Sequence, residues 1–146
     1  MYFVMSFKPI YAFKIIEGVK DCEVRTYFGD LAPDDVVLIY ASSPTKAFIG
    51  EFVVNEVFTG YINDVIEYLS NYCLMFDEDN WRFVREHYVG SRRRLVVIHV
   101  GEVTRYSQPV PLSSVRSVIP NFMPPMSYVK VSEDFVRLIR SLGLTS

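Results

Sequence analysis

The sequence has few of the residues that build metal sites and disulfide frameworks. Two cysteines, Cys22 and Cys73, and two histidines, His87 and His99, are the whole supply. None of them stands at the short spacing of a zinc-binding motif. We therefore expect no metal and no cofactor, and we expect each cysteine to be a small buried apolar residue. His99 lies in the apolar segment VVIHV, which favours a structural histidine.

Long hydrophobic runs are also missing. No apolar stretch approaches the roughly 20 residues that a membrane-spanning helix needs, and the first residues lack the basic start and cleavage site of a signal peptide. We therefore expect a soluble, cytoplasmic protein with no membrane partner. Because the 146 residues are 50% hydrophobic, they can form one domain with its own core.

Basic residues are scarce in the first part of the chain and concentrated later. Residues 1–80 contain five Lys and Arg against 13 Asp and Glu, whereas residues 81–116 contain seven arginines and two glutamates. Three of these arginines stand in a row: Arg92, Arg93 and Arg94. They are interpreted either as a phosphate-binding edge or as charges that protect a sheet edge from aggregation.

Hydrophobic periodicity predicts six short strands and four helices. The predicted strands are Tyr2–Phe7, Cys22–Phe28, Asp35–Ala41, Ala47–Phe58, Arg92–Val103 and Ser127–Val131. The predicted helices run from Pro9 to Gly18, over Tyr61–Tyr72, from Asp77 or Asp79 to Gly90, and over Asp134–Leu142 after an N-cap at Ser132, with one further helical turn at Leu112–Ser117. This pattern predicts an α+β fold around a bent, mainly antiparallel sheet of five to six strands that forms a small barrel.

The stretch GVKDCEVR, Gly18 to Arg25, concentrates charge where a strand should begin. Strict alternation would put Lys20 on one face of this strand and Glu23 and Arg25 on the other. The three side chains can nevertheless form a compact cluster of two cations around one carboxylate. Such a cluster suits a phosphate or a base edge, and the alternative is an internal ion-pair network that fixes the junction between helix and strand.

This stretch resembles the GxKxxExR signature of the ASCH domain family, which belongs to the PUA-like group of small β-barrels. The segment VLIYASSPTKAFIGEF is similar to the second barrel region of that family, and PLSSVRSVIPNFMPPMSYVKV to its proline-rich return. The likeness covers residues 3–58 and 92–131 and leaves a helical insert at about 59–91. It implies a single-domain member of archaeal type, with a cleft floored by the signature strand.

The resemblance implies that the cleft binds RNA, a nucleotide or one base that is in some members modified. Some ASCH proteins are hydrolases that deacetylate acetylated cytidine through a lysine, a threonine and a glutamate, and others are linked to RNA cleavage. Here Glu23 stands at the position of that threonine, and a carboxylate cannot replace its hydroxyl in acyl transfer. Binding is therefore the leading interpretation. The alternatives are an amidohydrolase or ribonuclease that uses Lys20 and Glu23, and a protein-interaction module with an acidic first half.

Two further groups of side chains are candidates for the same cleft. Tyr40, Ser42 and Ser43 end a buried strand, where their hydroxyls either face the cleft or stabilise their own turn. Ser127 and Tyr128 follow the proline-rich return, which the resemblance puts beside the signature strand. Tyr128 is either a platform for stacking a base or a core tyrosine.

Overall fold

The computed structural model describes residues 1–144 and contains six strands and five helices in that range. The strands are β1 (Tyr2–Phe7), β2 (Cys22–Thr26), β3 (Val36–Ala41), β4 (Ala47–Gly60), β5 (Leu95–Pro111) and β6 (Tyr128–Val131). The helices are α1 (Pro9–Ile16), α2 (Ile62–Tyr72), α3 (Glu78–His87), α4 (Leu112–Val118) and α5 (Glu133–Gly143). The predicted elements are all present, and the predicted helical turn at Leu112–Ser117 is helix α4.

The strands form one curled sheet in the order β2-β5-β4-β3-β1-β6, which makes a half-barrel. All neighbouring pairs are antiparallel except β1 and β3, which run parallel. The long pair β4 and β5 supplies the curvature, because its register shifts three times and each such bulge bends the sheet. The α+β, PUA-like barrel architecture predicted from the sequence is confirmed.

The open seam of the half-barrel lies between its two edges, β2 on one side and β6 with β1 on the other. The guanidinium of Arg25, in β2, donates to the backbone oxygen of Ser6 at 2.7 Å and to the hydroxyl of Ser127 at 3.2 Å. Close by in sequence, the ring of Tyr128 stacks on Phe28 with centroids 3.8 Å apart. Side chains therefore join the two edges where backbone pairing is not made.

The apolar side chains gather in three clusters, and each cluster lies under a different helical layer. The first joins α1 to the concave sheet around Ile15 and Ile39, and the second joins α2 and α3 to β2 and β5 around Leu69 and Val97. The third packs α5 on the sheet around Ile139. The helical insert between β4 and β5 is thus seated on the β2 edge, beside the charged stretch.

Two sequence-based expectations about the β2 region were wrong. Cys22 and Cys73 are both buried, as expected, but they form a disulfide, because the insert brings Cys73 against β2 across 51 residues of sequence. The strand ends at Thr26 rather than Phe28. The strand begins at Cys22, as predicted, so Lys20 lies before it and strand alternation does not decide the direction of the Lys20 side chain.

Among residues 1–144, no helix is both long and apolar enough to cross a membrane.

Candidate functional site

A cavity of about 260 Å³ opens beside the β2 edge, and we call it the signature cavity. Its walls come from β2, from the end of β1 and the start of α1, and from α3 with the turn before it. Three cations and one carboxylate line it: Lys8, Lys20, Arg25 and Glu23. The predicted cluster of Lys20, Glu23 and Arg25 therefore exists and faces a cavity, while Lys8 adds a cation that sequence reasoning did not identify.

Lys20 lies at the inner wall and is only 4% exposed. Its ammonium donates a hydrogen bond to Oδ1 of Asn80 and forms an ion pair with Oε1 of Glu23 at 3.3 Å. Among residues 1–144 these two oxygens are its partners, so one of the three ammonium protons has no acceptor. The ammonium also lies 5.0 Å from the ring centroid of Tyr11 and 5.4 Å from that of Phe76, within the range of cation–π attraction.

The pKa of Lys20 is lowered from its ordinary value. Burial is the main cause, because it penalises the charged ammonium, and the charge of Arg25 acts in the same direction. The carboxylate of Glu23 opposes both but does not cancel them. Lys20 therefore loses its proton at a lower pH than an exposed lysine, and more of it is in the neutral amine form at a given pH.

Glu23 bridges the two cations and is itself 9% exposed. Its Oε1 faces Lys20, and its Oε2 accepts from Nε of Arg25 at 3.0 Å and pairs with a terminal guanidinium nitrogen at 2.9 Å. Burial acts to raise the pKa of Glu23, yet the charges of Lys20 and Arg25 outweigh burial and hold that pKa below its usual range. Glu23 is consequently an ionised acceptor at neutral pH.

Arg25 uses most of its hydrogen-bond donors in contacts within the protein. It bonds Glu23, the backbone of Ser6 and the hydroxyl of Ser127, and its guanidinium lies 4.9 Å from the ring centroid of Phe7. A guanidinium held on several sides is rigid, since each bond fixes one direction of its planar fork. Arg25 therefore positions Glu23 and the seam, and its remaining face borders the cavity.

Aromatic and apolar side chains form the rest of the cavity wall. The main ones are Phe7, Tyr11, Phe76, Phe83 and Val84. Tyr11 and Phe83 meet edge to face with ring centroids 5.8 Å apart. A cavity with aromatic walls and a few convergent polar groups is typical of a site for a flat organic ligand.

Asn80 is the polar residue of α3 that reaches Lys20, and it is held in place from behind. Its side-chain nitrogen donates to Asp77 at 2.7 Å, which leaves its oxygen directed to Lys20. Asp77 also caps the helix by accepting from the backbone N–H of Asn80, and it pairs with Lys14 of α1 at 2.6 Å. This chain of contacts joins α1, α3 and the buried lysine.

Several cavity residues were missed by sequence reasoning: Lys8, Tyr11, Phe76, Asn80 and Phe83. For Asn80 a signal was present. Asn80 and Val84 are four residues apart, so they share one side of α3, and a polar residue on that inward side is a candidate site residue. Tyr11 and Lys8 carried no such signal, because their role depends on how α1 meets β2.

The structure separates the other predicted residues from this cavity. Tyr40 and Ser42 line a second, shallower groove with Pro124, Pro125 and Met126. This groove adjoins the first, since Ser6, Phe7 and Lys8 line both. Ser42 donates its hydroxyl to the backbone oxygen of Phe7 at 3.1 Å, whereas Ser43 is exposed at the turn.

Ser127 does lie beside the signature strand, through its contact with Arg25. Tyr128 is 39% exposed, and one face of its ring is covered by Phe28. Its other predicted use, stacking on a base, stays a prediction.

Arg92, Arg93 and Arg94 are exposed and lie in the segment that leads into β5. The guanidinium of Arg94 lies 4.2 Å from the ring centroid of Tyr27 and donates to the hydroxyl of Thr59. None of the three lines the signature cavity. Their use as a phosphate-binding edge stays a prediction.

A second group of chemically active side chains lies on the other side of β2. The side-chain donor atoms of Cys22, Cys73 and His99 are all within 4.8 Å of one another. Sequence spacing gave no sign of this group, because its members come from two strands and from the end of α2.

Comparison with known proteins relates the fold to solved structures. No protein-family model matches the sequence, and no curated protein sequence matches it significantly. The structure of ASCH from Zymomonas mobilis is similar over 97% of this chain and 95% of that one, with a TM-score of 0.82 and 22% identity. Two variants of that protein give TM-scores of 0.80 and 0.81.

Two further structures are more distant. The N-terminal domain of McrB from Staphylothermus marinus is similar over 97% of this chain and 94% of that one, at a TM-score of 0.62 and 18% identity. A protein of Rhodopseudomonas palustris gives 0.55 at 14% identity, over 97% of this chain and 92% of its own. The predicted resemblance to ASCH is therefore confirmed in the fold.

Proposed function

We propose that this chain is an ASCH-type, PUA-like domain that binds RNA or a nucleotide by enclosing one base in the signature cavity. The observation that carries the proposal is the buried Lys20 at the inner wall of an aromatic-lined cavity, where one of its ammonium protons has no acceptor within residues 1–144. A base carbonyl oxygen or ring nitrogen is a suitable acceptor for that proton. The resemblance to nucleic-acid-binding PUA-like domains supports the same ligand class.

The arrangement of charge supports a base inside and a phosphate outside. Glu23 is ionised and can accept from an exocyclic amine, as base recognition requires. Lys8 is exposed at the mouth, and among residues 1–144 it has no ion-pair partner, so it is free to meet a phosphate. Phosphate contacts supply affinity that falls with salt, while contacts inside the cavity supply selectivity.

Titration of short single-stranded RNAs and of free nucleotides against the intact protein tests this proposal. Trp81, the single tryptophan, packs edge to face on Phe76 with centroids 5.0 Å apart, so its fluorescence reports on the cavity wall. We expect saturable binding that weakens at higher salt and is lost in Lys20→Met, a change that keeps the apolar stem. The control, Lys130→Met, alters an exposed lysine of β6. Binding that is absent at low salt, or equal in both variants, contradicts the proposal.

One observation favours a second candidate, a hydrolase acting on a modified nucleoside or on RNA. The lowered pKa of Lys20 is what a lysine base requires, and Glu23 is in contact with it. This candidate predicts turnover of acylated cytidine or RNA that disappears in Lys20→Met. If product never forms while ligand still binds, the cavity is a binding site only.

We further propose that residues 1–146 act as one domain, with residues 59–91 as its helical insert. The pairing of β4 with β5 on either side of the insert supports this division. A cytoplasmic location is proposed with it, because RNA and nucleotides are available there.

A further inference from the structure

A row of three polar or sulfur-bearing side chains crosses the sheet next to the insert. Cys22 of β2 is paired in register with His99 of β5, and His99 is paired with Glu56 of β4. Cys73, the C-cap residue of α2, is bonded to Cys22 of this row through the disulfide. The two sulfur atoms of the disulfide and a ring nitrogen of His99 lie within 4.8 Å of one another.

The state of the two cysteines depends on the redox compartment. A dithiol reductant converts the disulfide into two thiols by supplying two electrons and two protons, and is itself oxidised to a disulfide. Cytosolic reductants keep most protein thiols in that reduced form. Reduction would leave two buried thiols beside an imidazole, and these are groups that bind metal ions in proteins.

We propose that the reduced chain binds a zinc-type divalent cation through Cys22, Cys73 and His99. Two thiolates and one imidazole are ligands that zinc prefers, with water as the fourth. Zinc holds sulfur at about 2.3 Å and nitrogen at about 2.0 Å, so its tetrahedral ligands are about 3.5–3.8 Å apart. The donor atoms here are already within 4.8 Å, and each thiol releases its proton as the metal–sulfur bond forms.

The surroundings of His99 support a role as a ligand. The hydroxyl of Tyr68 donates to Glu56 at 3.3 Å, and its oxygen lies 3.4 Å from Nδ1 of His99. An outer partner of this kind fixes the ring orientation of a metal-binding histidine. Glu56, Tyr68 and His99 thus form a chain of polar contacts, and His99 lies beside the two sulfur atoms.

The metal would replace the disulfide as the link between β2 and the helical insert. The disulfide and the metal both link Cys22 to Cys73. Cys22 directly precedes Glu23, and Cys73 lies three residues before Phe76, so each end of the link is close in sequence to a residue of the signature cavity. In the reduced protein the metal would therefore hold the insert against β2. This inference does not depend on what the signature cavity binds.

Cobalt titration of the reduced protein tests the site, since Co²⁺ replaces zinc and absorbs light strongly when bound by thiolates in a tetrahedral site. The protein is reduced with dithiothreitol, freed of it under nitrogen, and titrated. We expect one Co²⁺ per chain with thiolate-to-cobalt absorption, and none in the oxidised protein. Zinc should displace the cobalt.

Variants separate the proposed ligands from bystanders. Cys22→Ser or Cys73→Ser should abolish the thiolate absorption. Tyr68→Phe should weaken metal binding about 10- to 100-fold, as for other outer-shell partners, and His99→Ala should weaken it more. His87→Ala is the matched control, because His87 is exposed on α3 and bonded to the backbone of Phe83.

Absence of tetrahedral cobalt absorption in the reduced protein, or binding that His99→Ala leaves unchanged, overturns the proposal. If a cysteine variant does not fold by circular dichroism, alkylation of the unmutated reduced chain decides instead. Zinc should slow alkylation of both thiols, and equal rates with and without zinc contradict a site at these residues.

Discussion

Lys20 is buried at a position where an unpaired charge would be strongly unfavourable. Its ammonium is stabilised by a carboxylate, an amide oxygen and two aromatic faces, and each offsets part of the lost hydration. A chain that needed only an ion pair here could keep it on the surface. Burial of a lysine beside a cavity is typical of functional sites, and it supports the proposed ligand at this place.

Replacing Glu23 by glutamine should destabilise the fold by about 3–5 kcal/mol at pH 7, because it leaves Lys20 and Arg25 without their shared counter-charge. The pKa of Glu23 is lowered in the folded protein. Its stabilising contribution is therefore complete above the unfolded pKa near 4.5 and is lost as pH falls through the folded pKa. Urea unfolding of both proteins from pH 7 to pH 3 measures this.

The difference in free energy of unfolding between wild type and Glu23→Gln should narrow as the pH drops below about 4.5. Glu17→Gln changes an exposed residue at the end of α1, and its free energy of unfolding should stay close to that of wild type at every pH. A penalty for Glu23→Gln that is the same at pH 3 and pH 7 would mean that charge is not what this residue contributes.

Lys8→Ala should distinguish nucleotides from nucleosides. Because Lys8 lies at the cavity mouth, its loss should weaken binding of a 5′-monophosphate several-fold and leave the matching nucleoside unchanged. Isothermal titration of both ligands measures the two effects. Lys46→Ala, at an exposed lysine that does not line this cavity, serves as control. An equal loss for nucleoside and nucleotide would exclude a phosphate contact at Lys8.

The helical insert is the element that turns a sheet edge into a cavity. Phe76, Asn80, Phe83 and Val84 come from α3 or the turn before it. The disulfide from Cys73 to β2 and the ion pair of Lys14, in α1, with Asp77 are among the contacts that hold the insert in place. The shape of the cavity therefore depends on contacts that lie outside its wall.

Reduction of the disulfide in the presence of a chelator should lower stability. Closing a loop of 51 residues restricts the unfolded chain, which the chain-entropy model values at about 4 kcal/mol. We expect urea unfolding to show a loss of that order, and hydrogen exchange to speed up in α2 and α3 more than in β3. Uniform acceleration over the whole chain would show that the insert is not the part the disulfide secures.

The elements of this fold were readable from sequence because each carries its own local pattern. Proline at the start of α1, Asp77 and Ser132 as helix caps, and the continuous apolar run of β3 act within a few residues. The disulfide and the Lys20–Asn80 contact were not readable, since each joins residues 51 or more positions apart. Strand β5 extends to Pro111, past its predicted end at Val103, because a bulge accommodates residues that read as irregular.

At the scale of the whole molecule, the signature stretch closes the barrel as well as lining the cavity. Arg25 reaches from β2 to Ser6 and Ser127 across the seam, and Glu23 holds the guanidinium from the other side. The sequence predicted that these charges would cluster, but their structural and binding roles could not be told apart. The geometry assigns closure mainly to Arg25, whereas Lys20 keeps one ammonium proton for which the described part of the chain supplies no acceptor.

Arg25→Lys should therefore destabilise the fold although it keeps the charge. Lysine cannot reproduce the planar fork that bonds Ser6, Ser127 and Glu23 together, and losing such charge-assisted bonds should lower the free energy of unfolding by about 1.5–3 kcal/mol. Arg105→Lys, at an exposed arginine of β5, is the control. Thermal and urea unfolding that treat the two variants alike would contradict a closing role for Arg25.

We propose that the signature cavity, rather than the exposed arginines Arg92, Arg93 and Arg94, receives the ligand. Amide chemical-shift mapping of the labelled protein with a panel of 5′-nucleotides and short single-stranded RNAs tests this most directly. We predict that the largest shifts fall in residues 6–11, 20–25 and 76–84, which line the cavity. Shifts confined to Arg92, Arg93 and Arg94, with the cavity residues unmoved, would contradict the account.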